Sequence, residues 1–229
     1  MIISIASGKG GTGKTTVATN LAVSLGSHVQ VLDCDVEEPN AHLFIKPIIE
    51  EVKTITTPVP EVDMEKCTLC GKCGEICQFK AIVVIGETVL PFHELCHSCG
   101  GFMEVCSEKA ITETGRELGV IELGHRNGLE FVHGRLRVGE AMSPPLIRKV
   151  RDCTLPDTLT IIDGPPGIGC PVIASLGGAT AVLIVTEPTV SGRHDMERVA
   201  ELAAFFTLFQ SNFLFPVTCI PYRRFVYLL

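Results

Sequence analysis

Along this chain, short apolar runs rich in β-branched residues alternate with segments whose apolar positions recur at helical spacing. IISIAS (2–7) predicts a strand, and a glycine loop leads from it into KTTVATNLAVSLG (14–26), a helix closed by Gly26. VQVLDCD (29–35), LTIIDG (159–164) and AVLIVTE (181–187) predict three further buried strands. PPLIRKV (144–150) and SGRHDMERVAELAAFF (191–206) carry helical periodicity, while GVIELGHRNGLEFVHGRL (119–136) suggests turns and short strands. Strand–helix alternation of this kind implies an α/β fold, a mostly parallel sheet with helices on both faces.

The pattern breaks at TTPVPEVD (56–63), which predicts a proline-bearing linker. Beyond it CTLCGKCGEICQFKAI (67–82) recurs as CHSCGGFMEVCSEKAI (96–111), a repeat of 29 residues. Cys67, Cys70 and Cys77 match Cys96, Cys99 and Cys106, but Cys73 faces Phe102. The economical division is an α/β domain in two parts, 1–59 and 116–229, with a small α+β cysteine module at 60–115 inserted in a loop.

Totals narrow the function. A net charge of −7 argues against the basic face of a duplex-DNA binder, with HGRLRVGE and PYRRF the short basic clusters visible, so no nucleic-acid partner is expected. Eleven cysteines would suit a secreted disulfide scaffold, yet their clustering at metal-ligand spacing, and an N-terminus unlike a signal peptide, point to a reducing cytoplasm. Leu202 to Tyr222 carries no charge, but polar side chains and two prolines favour a buried strand after the helix over stable membrane insertion.

Gly8-Lys9-Gly10-Gly11-Thr12-Gly13-Lys14-Thr15 fits GxxxxGK[ST] between a strand and a helix, the setting of an ATP-binding phosphate loop. Glycines let the backbone curl its N–H groups toward phosphate oxygens at the positive end of the helix dipole. Lys14 would neutralise the outer phosphates, Thr15 would offer its hydroxyl to Mg²⁺, and Thr16 follows at the start of the helix.

With Lys9 included, KGGTGKTT resembles the deviant phosphate loop of the MinD/Mrp family of dimeric ATPases. The resemblance implies that Lys9 reaches a partner's nucleotide across a homodimer. LDCDVEEPN (32–40) is similar to the family's first switch, where Asp35 would orient the attacking water. IIDGPPG (161–167) is similar to its Walker B and second switch, with Asp163 holding Mg²⁺ through water and the Gly167 N–H sensing the γ-phosphate. The likeness covers residues 1 to about 206. After Phe206 the family's asparagine-bearing base pocket is missing, which predicts a chain truncated or frameshifted relative to its relatives.

C-x2-C-x2-C-x3-C is the spacing of a bacterial ferredoxin, in which three thiolates of one run and the last of the other hold each cluster. Cys67, Cys70, Cys73 and Cys106 would complete one [4Fe–4S] cluster. Zinc is the rival for paired CxxC, disfavoured by the third cysteine and the duplication. Cys77, Cys96 and Cys99 would serve a second cluster whose fourth corner is Phe102. A [3Fe–4S] cluster, a [4Fe–4S] cluster completed by His93, His97 or solvent, and a lost cluster with an apolar plug all remain open. Gln78 and Ser107 replace the usual prolines of such modules. Outside the repeat, Cys34, Cys153, Cys170 and Cys219 are expected to be small buried hydrophobes.

Together these features resemble a MinD/Mrp-type ATPase with an inserted ferredoxin domain. The leading expectation is a nucleotide-gated switch coupled to an iron–sulfur centre, used to carry or assemble clusters or metals. An ATP-gated electron donor, with the logic of nitrogenase iron protein, and a MinD-like positioning scaffold are the alternatives.

Overall fold

The computed structural model describes residues 1–208 and 225–228. In chain order the elements are β1 (Ile2–Ser7), α1 (Lys14–Leu25), β2 (Val29–Asp33), α2 (Ala41–Ile45), β3 (Ile48–Val62), α3 (Lys72–Ile76), β4 (Ile82–Ile85), β5 (Thr88–Pro91), α4 (Gly101–Val105), β6 (Ile111–Arg126), β7 (Leu129–Leu136), α5 (Ser143–Arg151), β8 (Leu159–Pro166), α6 (Cys170–Leu176), β9 (Ala181–Thr186), α7 (Val190–Leu208) and β10 (Phe225–Leu228). An eight-stranded sheet runs in the order β10-β9-β1-β8-β2-β7-β6-β3. The pairs β9–β1, β1–β8, β8–β2 and β2–β7 are parallel, whereas β10 and β6 are antiparallel to their neighbours β9 and β7.

Successive strand residues point to opposite faces, and the core divides accordingly. Ile5 and Val185 pack with Ala18 and Ala22 of α1 and Ala41 and Ile45 of α2. Their neighbours Ala6 and Ile184 pack with Val172 and Leu176 of α6 and with Val199 and Ala203 of α7. Helices therefore cover both faces, and the α/β expectation holds. Among the described residues no helix is long and apolar enough to cross a membrane; most of the uncharged stretch after Leu202, including the tail on which the truncation expectation rests, lies outside them.

Two sequence expectations are corrected. Residues 56–63 are not a loose linker, because Thr56 to Val62 belong to β3. β3 is the last strand in the sheet order, and an edge tolerates the missing N–H of Pro58 and Pro60. Residues 119–136 are not short strands among turns: β6 and β7 form one long hairpin, in register from Gly119↔Leu136 to Arg126↔Leu129. Asn127 and Gly128 turn it with φ of 51° and 79°, the left-handed pair a tight hairpin needs.

The chain forms two compact units. One comprises Met1–Lys53, Gly119–Leu136 and the described residues from Ser143 onward; the other comprises Thr54–Leu118 with Arg137–Met142. In the second unit the cysteine repeat is also a structural repeat. Gly71 (φ 80°) starts α3 and Gly100 (φ 72°) starts α4, and Cys77 and Cys106 end them in extended conformation. The Ala81 N–H donates to Cys77 Sγ and the Ala110 N–H to Cys106 Sγ, each at 3.3 Å. The core here is small and includes Cys73, Cys77 and Cys96 alongside Val59, Ile82, Val89, Phe102 and Ile111. A unit of this size usually needs a covalent or metal staple.

Candidate functional site

In the first unit, the phosphate loop leaves the carboxyl end of β1. The Ser7 hydroxyl donates to the Lys9 carbonyl at 2.7 Å, fixing the first bend. Gly11 (φ 77°) and Gly13 (φ 96°) occupy the left-handed region, so the backbone can curl back before α1 begins at Lys14. A Cβ on Gly8 would stand 2.4 Å from Asp195 Cβ, so α7 packs hard against the loop, while Gly10 has open space around it. No acidic residue occupies the first turn of α1, leaving its N-terminal amides free of a competing carboxylate.

Lys14 is buried, and burial pulls its pKa down against the opposing attraction of Asp163, Asp35 and Asp33. Asp163 is fully buried at the carboxyl end of β8, and neither carboxylate oxygen has a hydrogen-bond partner. Burial raises its pKa, Asp35 adds to the rise, and the Thr15 hydroxyl and Lys14 oppose it. The Thr15 hydroxyl thus lies close enough to act on Asp163 without completing a hydrogen bond of standard geometry. A buried carboxylate with unpaired oxygens beside a threonine hydroxyl is a donor set suited to Mg²⁺. The Thr12 hydroxyl is buried and unpartnered as well, Thr15 is half-buried and Thr16 exposed.

Asp35 lies in the loop after β2, half-buried, its pKa pushed up to about 6 by burial against the pull of Lys14. Sequence reasoning passed over the neighbouring Asp33. That carboxylate is fully buried and accepts the N–H groups of Asp35 (3.1 Å), Asn40 (3.1 Å) and Ala41 (3.0 Å). It therefore ties both ends of the 34–40 loop to the end of β2 and caps α2. Burial, and Asp163 beside it, raise its pKa. No local pattern marks it out: β2 carries Gln30 among its apolar residues, and the α2 that Asp33 caps begins only at Ala41.

Gly167, with φ of 100°, donates its N–H to the Ser7 carbonyl at 2.9 Å, so engaging a γ-phosphate would require this bond to open. Lys9 pairs within its own chain with Glu187, Nζ to Oε2 at 2.8 Å. His133, also not singled out beforehand, is in register with Asp33 across β2 and β7. Its Nε2 meets Glu122 Oε2 at 2.7 Å, its ring packs edge-on against His42, and its buried Nδ1 has no partner.

In the second unit, Cys67, Cys70, Cys73 and Cys106 line one cavity, walled otherwise by apolar side chains such as Val62, Val84 and Val89. These are the four cysteines that ferredoxin pairing assigns to one cluster, and their joint placement fits a [4Fe–4S] cubane. Burial raises the Cys73 thiol pKa. Among the described residues no group of three or more His, Cys, Asp or Glu side chains is gathered tightly enough to hold a single metal ion.

Neither proposed histidine substitute for Phe102 lines the cavities that Phe102 borders. His93 Nε2 lies 2.9 Å from the Pro60 carbonyl, and His97 stacks on Phe79 with ring centroids 3.5 Å apart. Of the remaining cysteines, Cys34 is buried as expected, Cys153 is half-buried, and Cys170 is exposed at the first residue of α6, a departure from the buried-hydrophobe expectation. Cys219 lies outside the described residues.

Comparison with known proteins finds likeness along most of the chain. An uncharacterized protein of Methanocaldococcus jannaschii is 41% identical over 217 residues, covering 91% of this chain and 75% of its own. An iron-sulfur cluster carrier protein of Synechocystis sp. is 45% identical over 64 residues, 27% of this chain and 18% of that protein. Among solved structures, the septum site-determining protein MinD of Pyrococcus horikoshii, complexed with Mg-ADP, aligns at 21% identity and a TM-score of 0.49. That alignment takes in 88% of this chain but 63% of the MinD chain. Residues 3–222 match the model of the CobQ/CobB/MinD/ParA nucleotide binding domain, a span running past Phe206, and the chain belongs to that family.

Proposed function

We propose that this protein is a Mg-ATP-hydrolysing switch carrying one [4Fe–4S] cluster, and that it works as a homodimeric carrier or assembly factor for iron–sulfur clusters. The observation that carries the reading is the presence, on one polypeptide, of a phosphate loop facing Lys14, Asp35 and Asp163 and of a cavity lined by Cys67, Cys70, Cys73 and Cys106. The partial likeness to a cluster carrier supports the carrier use over the donor or scaffold alternatives.

In this reading the backbone amides of Gly10 to Thr15 cradle the phosphates, Lys14 balances their charge, and Thr15 with Asp163 holds Mg²⁺. The metal supplies electrostatic stabilisation of the transferring phosphoryl group. Asp35 orients the attacking water, with Asp33 fixing the loop that presents it. Lys9 leaves Glu187 to reach the partner's nucleotide, and the Gly167 N–H exchanges the Ser7 carbonyl for the γ-phosphate. The four thiolates hold the cluster, and the N–H donated to Cys106 Sγ stabilises its charge.

The test is anaerobic purification with iron and sulfide counts, ATP turnover, and transfer to an apo-acceptor with and without Mg-ATP. A carrier loads the acceptor in a nucleotide-dependent way. A reduction potential that moves with nucleotide, without transfer, would replace this reading with electron donation. Protein lacking both iron–sulfur absorbance and Mg-nucleotide affinity would end it.

A further inference from the structure

Cys73 and Phe102 are the same position in the two copies of the repeat, on α3 and α4 respectively. Around Cys73 one continuous cavity collects four thiols. Around Phe102 the equivalent space is divided. One cavity is lined by Cys96, Ser98, Phe102 and Met103, and another by Ile76, Cys77, Phe79, Cys99 and Phe102. Phe102 borders both, and neither contains all three cysteines of that half.

The phenyl ring is not a loose cover. It is 6% exposed and belongs to the same packed cluster as Cys73, Cys77 and Cys96. Cys96 is 4% exposed and accepts the Ser98 N–H at 3.4 Å. Cys99 is exposed. A cubane needs its donors arranged around a single cage. Here the donors fall in two compartments with a side chain that cannot ligate iron between them, and neither His93 nor His97 lines either cavity.

We infer that the second half-site holds no iron–sulfur cluster: Phe102 fills the volume as core packing and leaves Cys99 as an open thiol beside Cys77, with Cys96 sealed behind the ring. The inference rests on the single-cluster reading of the first half-site. It makes this module a one-cluster derivative of a two-cluster framework, with a solvent-facing thiol that a two-cluster module would keep under iron.

The test uses the whole chain, purified anaerobically, with iron and sulfide counts, EPR after reduction, and alkylation of accessible thiols mapped by mass spectrometry. Wild-type protein should contain about four irons and give the spectrum of one cluster, with Cys99 alkylated and Cys96 protected. Phe102→Cys should raise the count to about eight, with magnetic coupling between two clusters and Cys99 newly protected. Cys73→Ser should lose the iron while Cys99 stays alkylatable. Seven or eight irons in wild type, protection of its Cys99, or a Phe102→Cys protein that folds yet stays at about four would each overturn the inference. Should Phe102→Cys fail to fold, the wild-type count and Cys99 labelling decide alone. Iron retained in Cys73→Ser would instead sink the first-site reading, so the two failures are distinguishable.

Discussion

Asp33 and Asp163 sit directly across from each other on neighbouring parallel strands, β2 and β8, both fully buried at the carboxyl ends where the phosphate loop begins. Two buried carboxylates at one register position oppose each other's ionisation, and burial with Asp163 alongside pushes the Asp33 pKa up to about 8. Lys14 is the cation whose attraction offsets that repulsion. The loop lysine therefore has a structural task before any nucleotide arrives.

Lys14→Met should accordingly destabilise the nucleotide-free protein by roughly 3–5 kcal/mol, because it strands buried carboxylates without a counter-charge. Denaturant unfolding of the apo-protein measures this. Adding Asp163→Asn should recover part of the loss, whereas Mg-nucleotide should no longer stabilise either variant. An apo-protein indifferent to Lys14→Met would show that the carboxylates are neutral.

Gly8→Ala should be destabilising by about 1–3 kcal/mol, since its new Cβ would overlap Asp195 and force α7 away from the loop. Gly10→Ala, with nothing within 4 Å, should cost far less. Thermal unfolding of the pair checks the contrast, and equal losses would contradict the packing of α7 on the loop.

His133 gives a pH prediction. Burial lowers its pKa from 6.5, with His42 and Arg135 acting in the same direction and Glu122 opposing. A histidine depressed in the folded state binds more protons when unfolded, so its contribution to stability is intact above about 6.5 and is lost as pH falls below that value. Glu122, itself held low mainly by its hydrogen bond to His133, loses its contribution only nearer its ordinary 4.5. Comparing wild type with His133→Gln between pH 7.5 and 5 isolates the effect: wild type should lose more stability over that interval. Parallel curves would mean that His133 has the same pKa folded and unfolded.

Glu187→Gln should free Lys9 from its pairing within the chain. Both partners are more than a third exposed, so folding stability should barely change. Nucleotide-dependent self-association should strengthen, as followed by analytical ultracentrifugation with a non-hydrolysable nucleotide. Loss of association would assign Glu187 to the dimer contact itself.

Much of the molecule was legible from sequence because its determinants are local. β1, α1 and the phosphate loop follow from a β-branched run, glycine punctuation and a period-3.6 stripe, all within some twenty residues. The long β3 and the β6–β7 hairpin were not seen as such. Pro58 and Pro60 signal a linker unless the strand is known to lie at a sheet edge, which is a tertiary fact. Asn127-Gly128 carried its turn signal openly, but polar residues such as His125 and Arg126 obscured the strands on either side. Asp33 and His133 acquire their importance only through register with β8 and β7, which no one-dimensional pattern reveals. The cysteine spacing nominated Cys67, Cys70, Cys73 and Cys106 as a set, and these four residues line one cavity; each run closes on itself within a few residues and only Cys106 must come from afar.

The chamber lined by four cysteines has a consequence for traffic through this module. A ferredoxin with two metal centres can accept charge at one end and release it at the other, like a short wire. If the proposed cluster is the one centre of this module, donor and acceptor would both call in turn at the side where Cys70 reaches solvent. Such sequential visits are what a nucleotide-driven change of partner could time.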